Sequence, residues 1–348
     1  MKTEHILIIR FSAMGDVAMT VPVVYALAKE YPSLRVTMLS QPFARPLFEE
    51  LAPNINFMEA DIKGEYHGIR GLNALYRRLT AKNFTAVADL NNMLRSNYLR
   101  MRFNLDQNHV AHVGKHREER RMLTAKKDKV LRPIATAFDN YAKVFEQLGY
   151  PIHSSDFTTL LTPTQASLRH LPTAIGEKKD FQQWIGIAPF ALSREKTYPL
   201  SLMEEVMEGL TKRHPSSRIF LFGGGDKERE QLREVKKRHP AYVVVPDILS
   251  DLREELILMS HLDIMVSMDS ANMHLASLVN TPVVSVWGAT HPYAGFLGWK
   301  QKPSNIIQAD ISCRPCSIFG NKPCYRGDYA CLAAISPTAI INKVEENF

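Results

Sequence analysis

Four short stretches of this chain combine charged side chains with strand-to-helix junctions. The first is Arg10-Phe11-Ser12-Ala13-Met14-Gly15-Asp16, which follows the apolar run His5–Ile9. A carboxylate at the carboxyl edge of a parallel sheet stands where open α/β sheets bind ligands, and it can take a proton there. Asp is equally a preferred helix N-cap, so Asp16 reads both as a base and as the start of a helix. The second stretch, Ser193-Arg194-Glu195-Lys196, carries cations suited to neutralising a diphosphate. The third, Asp269-Ser270-Ala271 with His274 four residues beyond Ser270, opens a helix whose free N–H groups suit an anion. The fourth is Gly223-Gly224-Gly225-Asp226 with Glu228, a glycine turn where backbone can approach a ligand closely. It lacks the GxGxxG spacing with a following ribose acid, which argues against a hydride-transferring dehydrogenase.

The elements that must position these residues alternate in type along the chain. Apolar runs at 5–9, 34–39, 54–58, 84–90 and 109–113 read as strands; helical periods fall at 17–31, 44–51, 71–82 and 135–148. Residues 151–179 hold no long periodic element and form the best linker. A second series follows, with strands at 184–188, 218–222, 242–245, 263–267 and 283–287 and helices at 201–214, 227–238, 252–261 and 271–279. Two consecutive βαβ series imply two doubly wound, Rossmann-like parallel sheets facing a cleft. The expected domains are 1–155 and 180–335, with residues 336–348 forming a C-terminal helix that packs back on the first domain.

At 348 residues, the chain suits two domains. No run is long enough to span a bilayer, and the start leads straight into a strand, so a cytoplasmic protein is expected. Residues 1–150 carry 22 Lys and Arg against 15 Asp and Glu, the whole net excess of +7. Its densest part, 112–132, suits an anionic partner: nucleic acid, a phosphorylated saccharide or an anionic membrane. Nucleic acid is the weaker of these, because no aromatic-rich RNA motif or Cys/His finger adjoins the basic run. Cys313, Cys316, Cys324 and Cys331 form one cluster, read either as a structural zinc site or as reduced structural thiols.

Phe11-Ser12-Ala13-Met14-Gly15-Asp16 followed by Thr20-Val21-Pro22 resembles the opening motif of glycosyltransferase family 9, the ADP-heptose:lipopolysaccharide heptosyltransferases. Lys196 ahead of Pro199, the Asp269 to His274 motif, and Pro282 to Gly288 with Thr290 and Pro292 match that family in the same order. The resemblance implies a GT-B fold and an inverting transfer of heptose or a related sugar from an ADP-sugar to an anionic glycolipid acceptor of the lipopolysaccharide inner core. No cofactor is required for catalysis in that family, and peripheral contact with the inner membrane leaflet follows from such an acceptor.

By the same resemblance Asp16 is the general base, and Ser193, Lys196, Asp269, Ser270, Ala271 and His274 hold the donor phosphates. Gly224 with Asp226 or Glu228 holds the nucleotide ribose or base. Ser12, Met14 and Gly15, with the basic Arg117, Arg120 and Arg121, meet the acceptor. The chain departs from the family at Ala271, where glycine is common, and at Thr197-Tyr198, where a basic residue and Trp are common. The competing reading is a nucleotide-sugar-binding or nucleic-acid-binding protein that uses the basic 112–132 segment without sugar transfer.

Overall fold

The computed structural model describes residues 4–348, and the chain forms two compact units. The first contains the chain up to His116 together with Ala135–Leu160. Its strands are β1 (His5–Ile9), β2 (Arg35–Ser40), β3 (Ile55–Glu59), β4 (Ala86–Asp89) and β5 (His109–His112). They lie in the order β3-β2-β1-β4-β5, all parallel. β1 is buried along its whole length because helices cover both faces of such a sheet.

Between β1 and β2 run α1 (Met14–Ala18) and α2 (Val21–Glu30). The single helix expected over 17–31 is thus broken, since the Pro22 ring has no N–H and would collide with the carbonyl of Ala18. The helix expected at 44–51 is a tighter 3₁₀ turn, Pro42–Leu47, for the same reason at Pro46. α3 (Gly68–Thr80) and α4 (Leu94–Leu105) pack together over a core that includes Leu7, Ile9, Phe11, Leu75, Leu79 and Phe103. α4 escapes the sequence pattern because it leaves Leu94 87% and Leu105 71% exposed and buries little besides Leu99 and Phe103.

From β5 the chain passes into α5 (Arg117–Leu123), then returns with α6 (Ala137–Gln147), which packs on α2, β4 and β5. The Arg117–Ile134 excursion belongs to the second unit, with Leu161–Phe348. This corrects the expected boundary at residue 155. The segment is held there by three kinds of contact. Lys129 Nζ donates to the carbonyls of Cys313 (2.8 Å) and Pro315 (2.9 Å), and Ile134 N–H donates to Tyr293 O (2.9 Å). The Arg120 guanidinium lies over Phe319 (5.3 Å) and Phe296 (5.8 Å).

The second unit continues as β6 (Trp184–Ala188), α7 (Leu200–Arg213), β7 (Arg218–Leu221), α8 (Gly225–Arg238), β8 (Val243–Val244) and α9 (Leu252–Ser260). It ends with β9 (Ile264–Met268), α10 (Ala271–Leu278), β10 (Val283–Trp287), β11 (Ile306–Gln308), α11 (Ala330–Ala333) and α12 (Pro337–Glu345). The parallel sheet has the order β11-β10-β9-β6-β7-β8. The two sheets make this an α/β protein with two doubly wound parallel sheets, as expected.

The last helix does not pack where it was expected. α12 lies against α7, with Ile340, Ile341 and Val344 in the core of the second unit and Arg213 paired to Glu345 at 2.5 Å. Gly209 makes this possible: a Cβ there would stand 2.3 Å from Ile341 Cδ1. Among the described residues no helix is long and apolar enough to cross a membrane.

Because Ile340 is fully buried in this core, Ile340→Ala should cost about 2–5 kcal/mol of unfolding free energy. Urea unfolding followed by circular dichroism checks it. An unchanged midpoint would place α12 outside the core.

Candidate active site

The second sheet runs outward from β6 to β7 and β8, then returns to lay β9, β10 and β11 on the other side of β6. The loops leaving the carboxyl ends of β6 and β9 therefore diverge, and such a switch point is where open parallel sheets hold ligands. The loop after β6 carries Ser193 and the 3₁₀ turn Arg194–Lys196; the loop after β9 carries Asp269 and Ser270. Lys196 Nζ stands 3.4 Å from Asp269 Oδ2, both side chains largely buried. Thr290, beyond β10, donates its hydroxyl to the same oxygen at 2.8 Å. Residues almost a hundred positions apart are thus joined into one charged cluster.

Two features around this cluster point to an anionic ligand. Ser193 Oγ is buried without a hydrogen-bond partner among the described residues. Ser270 occupies the N-cap position of α10, yet its hydroxyl lies 3.3 Å from Ser267 Oγ and caps nothing. The N–H groups of the first turn, starting at Ala271, are therefore left without a side-chain cap at the positive end of the helix dipole. His274 is buried within the same helix.

Two glycines set this geometry, and nothing in the sequence singled them out for it. A Cβ on Gly320 (φ +73°) would fall 2.5 Å from Lys196 Cγ and 2.9 Å from Ser193 Oγ. The Lys196 stem therefore lies directly on the bare backbone of the cysteine-rich tail. At Gly288 a Cβ would fall 2.5 Å from the Glu195 carbonyl, which accepts from Ala289 N–H at 3.0 Å. Thr197 and Tyr198, the departure from the family pattern, serve the loop's own structure. Thr197 Oγ1 donates to Ser193 O at 2.9 Å, and the fully buried Tyr198 donates to Ile335 O at 2.6 Å.

At the glycine turn, Gly224 caps α8 and donates its N–H to Glu228 Oε2 at 2.7 Å. Burial pushes the Glu228 carboxyl up, with the Gly224 N–H opposing. Glu228 is turned back on its own turn, while Asp226 is exposed to solvent.

In the first unit Asp16 is not the N-cap. Ala13 holds that position, and Asp16 stands three residues on, its Oδ2 accepting the Ala13 N–H at 3.1 Å. The same oxygen pairs with Arg10 at 2.8 Å. Arg10 is almost wholly buried: its guanidinium also donates to Leu90 O and lies 5.9 Å from the Tyr141 ring centre. Burial disfavours its charge, but Tyr141, Asp16 and Asp89 outweigh it and hold Arg10 above the usual arginine range.

Fully buried Asp89, at the end of β4, accepts the N–H groups of Asn91 (3.0 Å) and Asn92 (2.8 Å) and pairs with Arg100 at 3.2 Å. β1 and β4 flank the switch point of this first sheet. Arg10, which opens the first stretch, and Asp89 were given no role from the sequence, although each is a charged residue abutting an apolar strand. Ser12 is exposed ahead of α1, and Met14 and Gly15 share the first turn of α1 with Asp16; Arg117, Arg120 and Arg121 are on α5, which belongs to the second unit.

The four cysteines line one small cavity of about 10 Å³, with Arg314 and Tyr329. Among the described residues no three His, Cys, Asp or Glu side chains are gathered so that they could hold a metal ion, which gives no support to the zinc reading of the cluster. The buried Arg314 also lines this region. Arg314 donates to the carbonyls of Gly288, Thr290 and Ala309 and to Gln308 Oε1, fastening the tail to the strand ends. Burial pushes the Cys331 thiol up to about 11, and burial followed by Cys313 and Cys324 raises Cys316.

The model of the family described as "Glycosyltransferase family 9 (heptosyltransferase)" matches residues 72–322. Lipopolysaccharide heptosyltransferase 3 of Escherichia coli (strain K12) is 25% identical over 313 residues, covering 84% of each chain. Two solved structures share the fold over nearly the whole length. A glycosyltransferase family 9 protein from Veillonella parvula has a TM-score of 0.75 at 21% identity, covering 100% of this chain and 98% of its own. The E. coli heptosyltransferase WaaC with ADP has 0.66 at 19%, covering 99% and 100%.

Thr290→Val keeps the shape of a buried side chain but leaves Asp269 one hydrogen bond short. It should lower stability by about 1–3 kcal/mol, because a buried acceptor next to a charge loses its donor. Denaturant unfolding reads this, and a change below about 0.5 kcal/mol would mean that Thr290 does not support the carboxylate.

Proposed function

The chain belongs to glycosyltransferase family 9 and is a glycosyltransferase, and from that premise we propose that it moves heptose from ADP-heptose to a saccharide of the lipopolysaccharide core. The observation that carries this reading is the Lys196–Asp269–Thr290 cluster beside the uncapped start of α10. A nucleoside diphosphate leaving from a sugar gathers negative charge on its outer phosphate. A lysine and helix-end N–H groups aimed at that position stabilise the charge as it forms. Asp269 holds Lys196 by one contact, and the remaining ammonium protons are available to phosphate. Ser193 Oγ supplies a further donor, His274 supports the turn from within α10, and Gly224 with exposed Asp226 suits the ribose hydroxyls.

The acceptor hydroxyl must lose its proton as it attacks the anomeric carbon from the face opposite the leaving phosphate, which inverts the centre. Asp16 is the base in this reading. Both of its contacts fall on Oδ2, so Oδ1 is available for the proton. Arg10 pairs with the carboxylate and fixes its direction. Ser12, Met14 and Gly15 line the approach of the acceptor, which is an anionic glycolipid at a membrane surface in this reading. The E. coli relative is named for lipopolysaccharide heptose transfer and the WaaC structure holds ADP, which supports the choice of donor and acceptor.

Asp16→Asn should lower transfer roughly 10²–10⁴-fold while ADP binding by calorimetry stays within about twofold. Retention of turnover would remove Asp16 from the role of base. Gly320→Ala should do the reverse, pushing Lys196 aside and weakening ADP binding several-fold, with a loss of about 1 kcal/mol in stability because alanine is strained at φ +73°. Incubation with ADP-, GDP- and UDP-sugars, followed by mass spectrometry of slow donor hydrolysis, tests the donor. Consumption of a UDP- or GDP-sugar in preference to ADP-heptose would overturn it.

A further inference from the structure

Excess positive charge is not distributed as the linear sequence suggests. Counted by unit, the first carries 15 Lys and Arg against 13 Asp and Glu, and the second 28 against 23. The shift comes from Arg117–Ile134, with seven basic and three acidic residues, which leaves its neighbours in sequence to pack on the cysteine-rich tail. Lys129 anchors it there through the Cys313 and Pro315 carbonyls.

Between the excursion and the tail lies an open cavity of about 420 Å³. Lys126, Lys129 and Lys322 line it together with the hydroxyl residues Thr124 and Ser312 and the ring of Tyr325; no Asp or Glu does. This volume lies within the range of small-molecule sites. Lys126 Nζ sits 4.7 Å from the Tyr325 ring centre, which gives that lysine a preferred place. Lys129 spends two of its three N–H donors on carbonyls and keeps one. Lys322, from the cysteine-rich tail, is exposed. Three ammonium groups brought to one cavity by segments almost two hundred residues apart repel one another unless an anion lies between them.

We propose that this cavity binds the phosphoryl group of a phosphorylated saccharide, with Lys126 and Lys322 contacting the phosphate and Tyr325 contacting the sugar. The site is distinct from the Lys196–Asp269 cluster, and it rests on the proposed function only in that a phosphorylated core saccharide is an acceptor. Its occupant need not react there.

The test uses the full chain saturated with ADP, so that the donor site is filled, and titrates glucosamine 1-phosphate, glucosamine and inorganic phosphate by calorimetry. Glucosamine 1-phosphate should bind, glucosamine should not, and Lys126→Gln with Lys322→Gln should weaken binding at least tenfold while leaving ADP affinity unchanged. The Lys126→Arg, Lys322→Arg pair should retain binding. A control pair on α8, Lys236→Gln with Lys237→Gln, removes equal charge and should have no effect. No binding of glucosamine 1-phosphate to the wild type, or equal weakening in the control pair, overturns the proposal.

Vesicles of phosphatidylcholine with 20% phosphatidic acid, set beside vesicles with 20% phosphatidylglycerol, distinguish the source of the phosphate. Preference for phosphatidic acid that is lost in the Lys126/Lys322 pair assigns the site to lipid-borne phosphomonoesters. Binding of glucosamine 1-phosphate alone assigns it to soluble sugars, and binding to both vesicle types without loss in the variant counts against the site. None of these readouts requires sugar transfer, so they stand apart from the assignment of donor and base.

Discussion

The candidate site depends on the reversal of strand order in each parallel sheet. β7 and β8 lie on one side of β6 and β9 on the other, so two loops part at the carboxyl ends of β6 and β9. Lys196 leaves one loop and Asp269 begins the other, and their 3.4 Å pairing bridges the opening. The first sheet repeats the device between β1 and β4, where Arg10 and Asp89 stand at the strand ends. Peptide dipoles and unpaired N–H groups at such ends are fixed by the strands themselves and need no further ordering when a ligand arrives.

Charge in both units is managed by sharing. Asp269 Oδ2 takes both Lys196 and the Thr290 hydroxyl, and Asp16 Oδ2 takes both Arg10 and the Ala13 N–H. A buried ion left alone costs several kcal/mol, so each carboxylate is secured on one oxygen by more than one donor. In the same arrangement both contacts of Asp16 fall on Oδ2. Arg10 is the clearest case: burial works against its charge, and two aspartates with Tyr141 restore it.

The cysteine-rich tail is fastened to the second unit through its backbone and through Arg314. Arg314 ties the tail to the carbonyls beyond β10, and Gly320 lets it lie against Lys196 with no side chain between them. The tail also receives Lys129 from the excursion. One segment thus shapes both the lysine of the candidate active site and the cationic cavity beside Tyr325.

Most of the architecture was legible from the order of residues alone, because strands buried on both faces must be continuously apolar and amphipathic helices must repeat near 3.6. His5–Ile9, Trp184–Ala188 and Val283–Trp287 stand in the structure where their composition put them. The ordered motifs around Asp16, Lys196 and Asp269 carried the family resemblance for the same reason: short-range chemistry is written locally. Position in space is not. That Lys196 meets Asp269, that Thr290 and Gly320 complete that cluster, that α12 joins α7, and that Arg117–Ile134 leaves its sequence neighbours for the tail were decided by tertiary packing. Each depends on contacts between residues tens to almost two hundred positions apart, and no local period or turn signal encodes a partner at that distance.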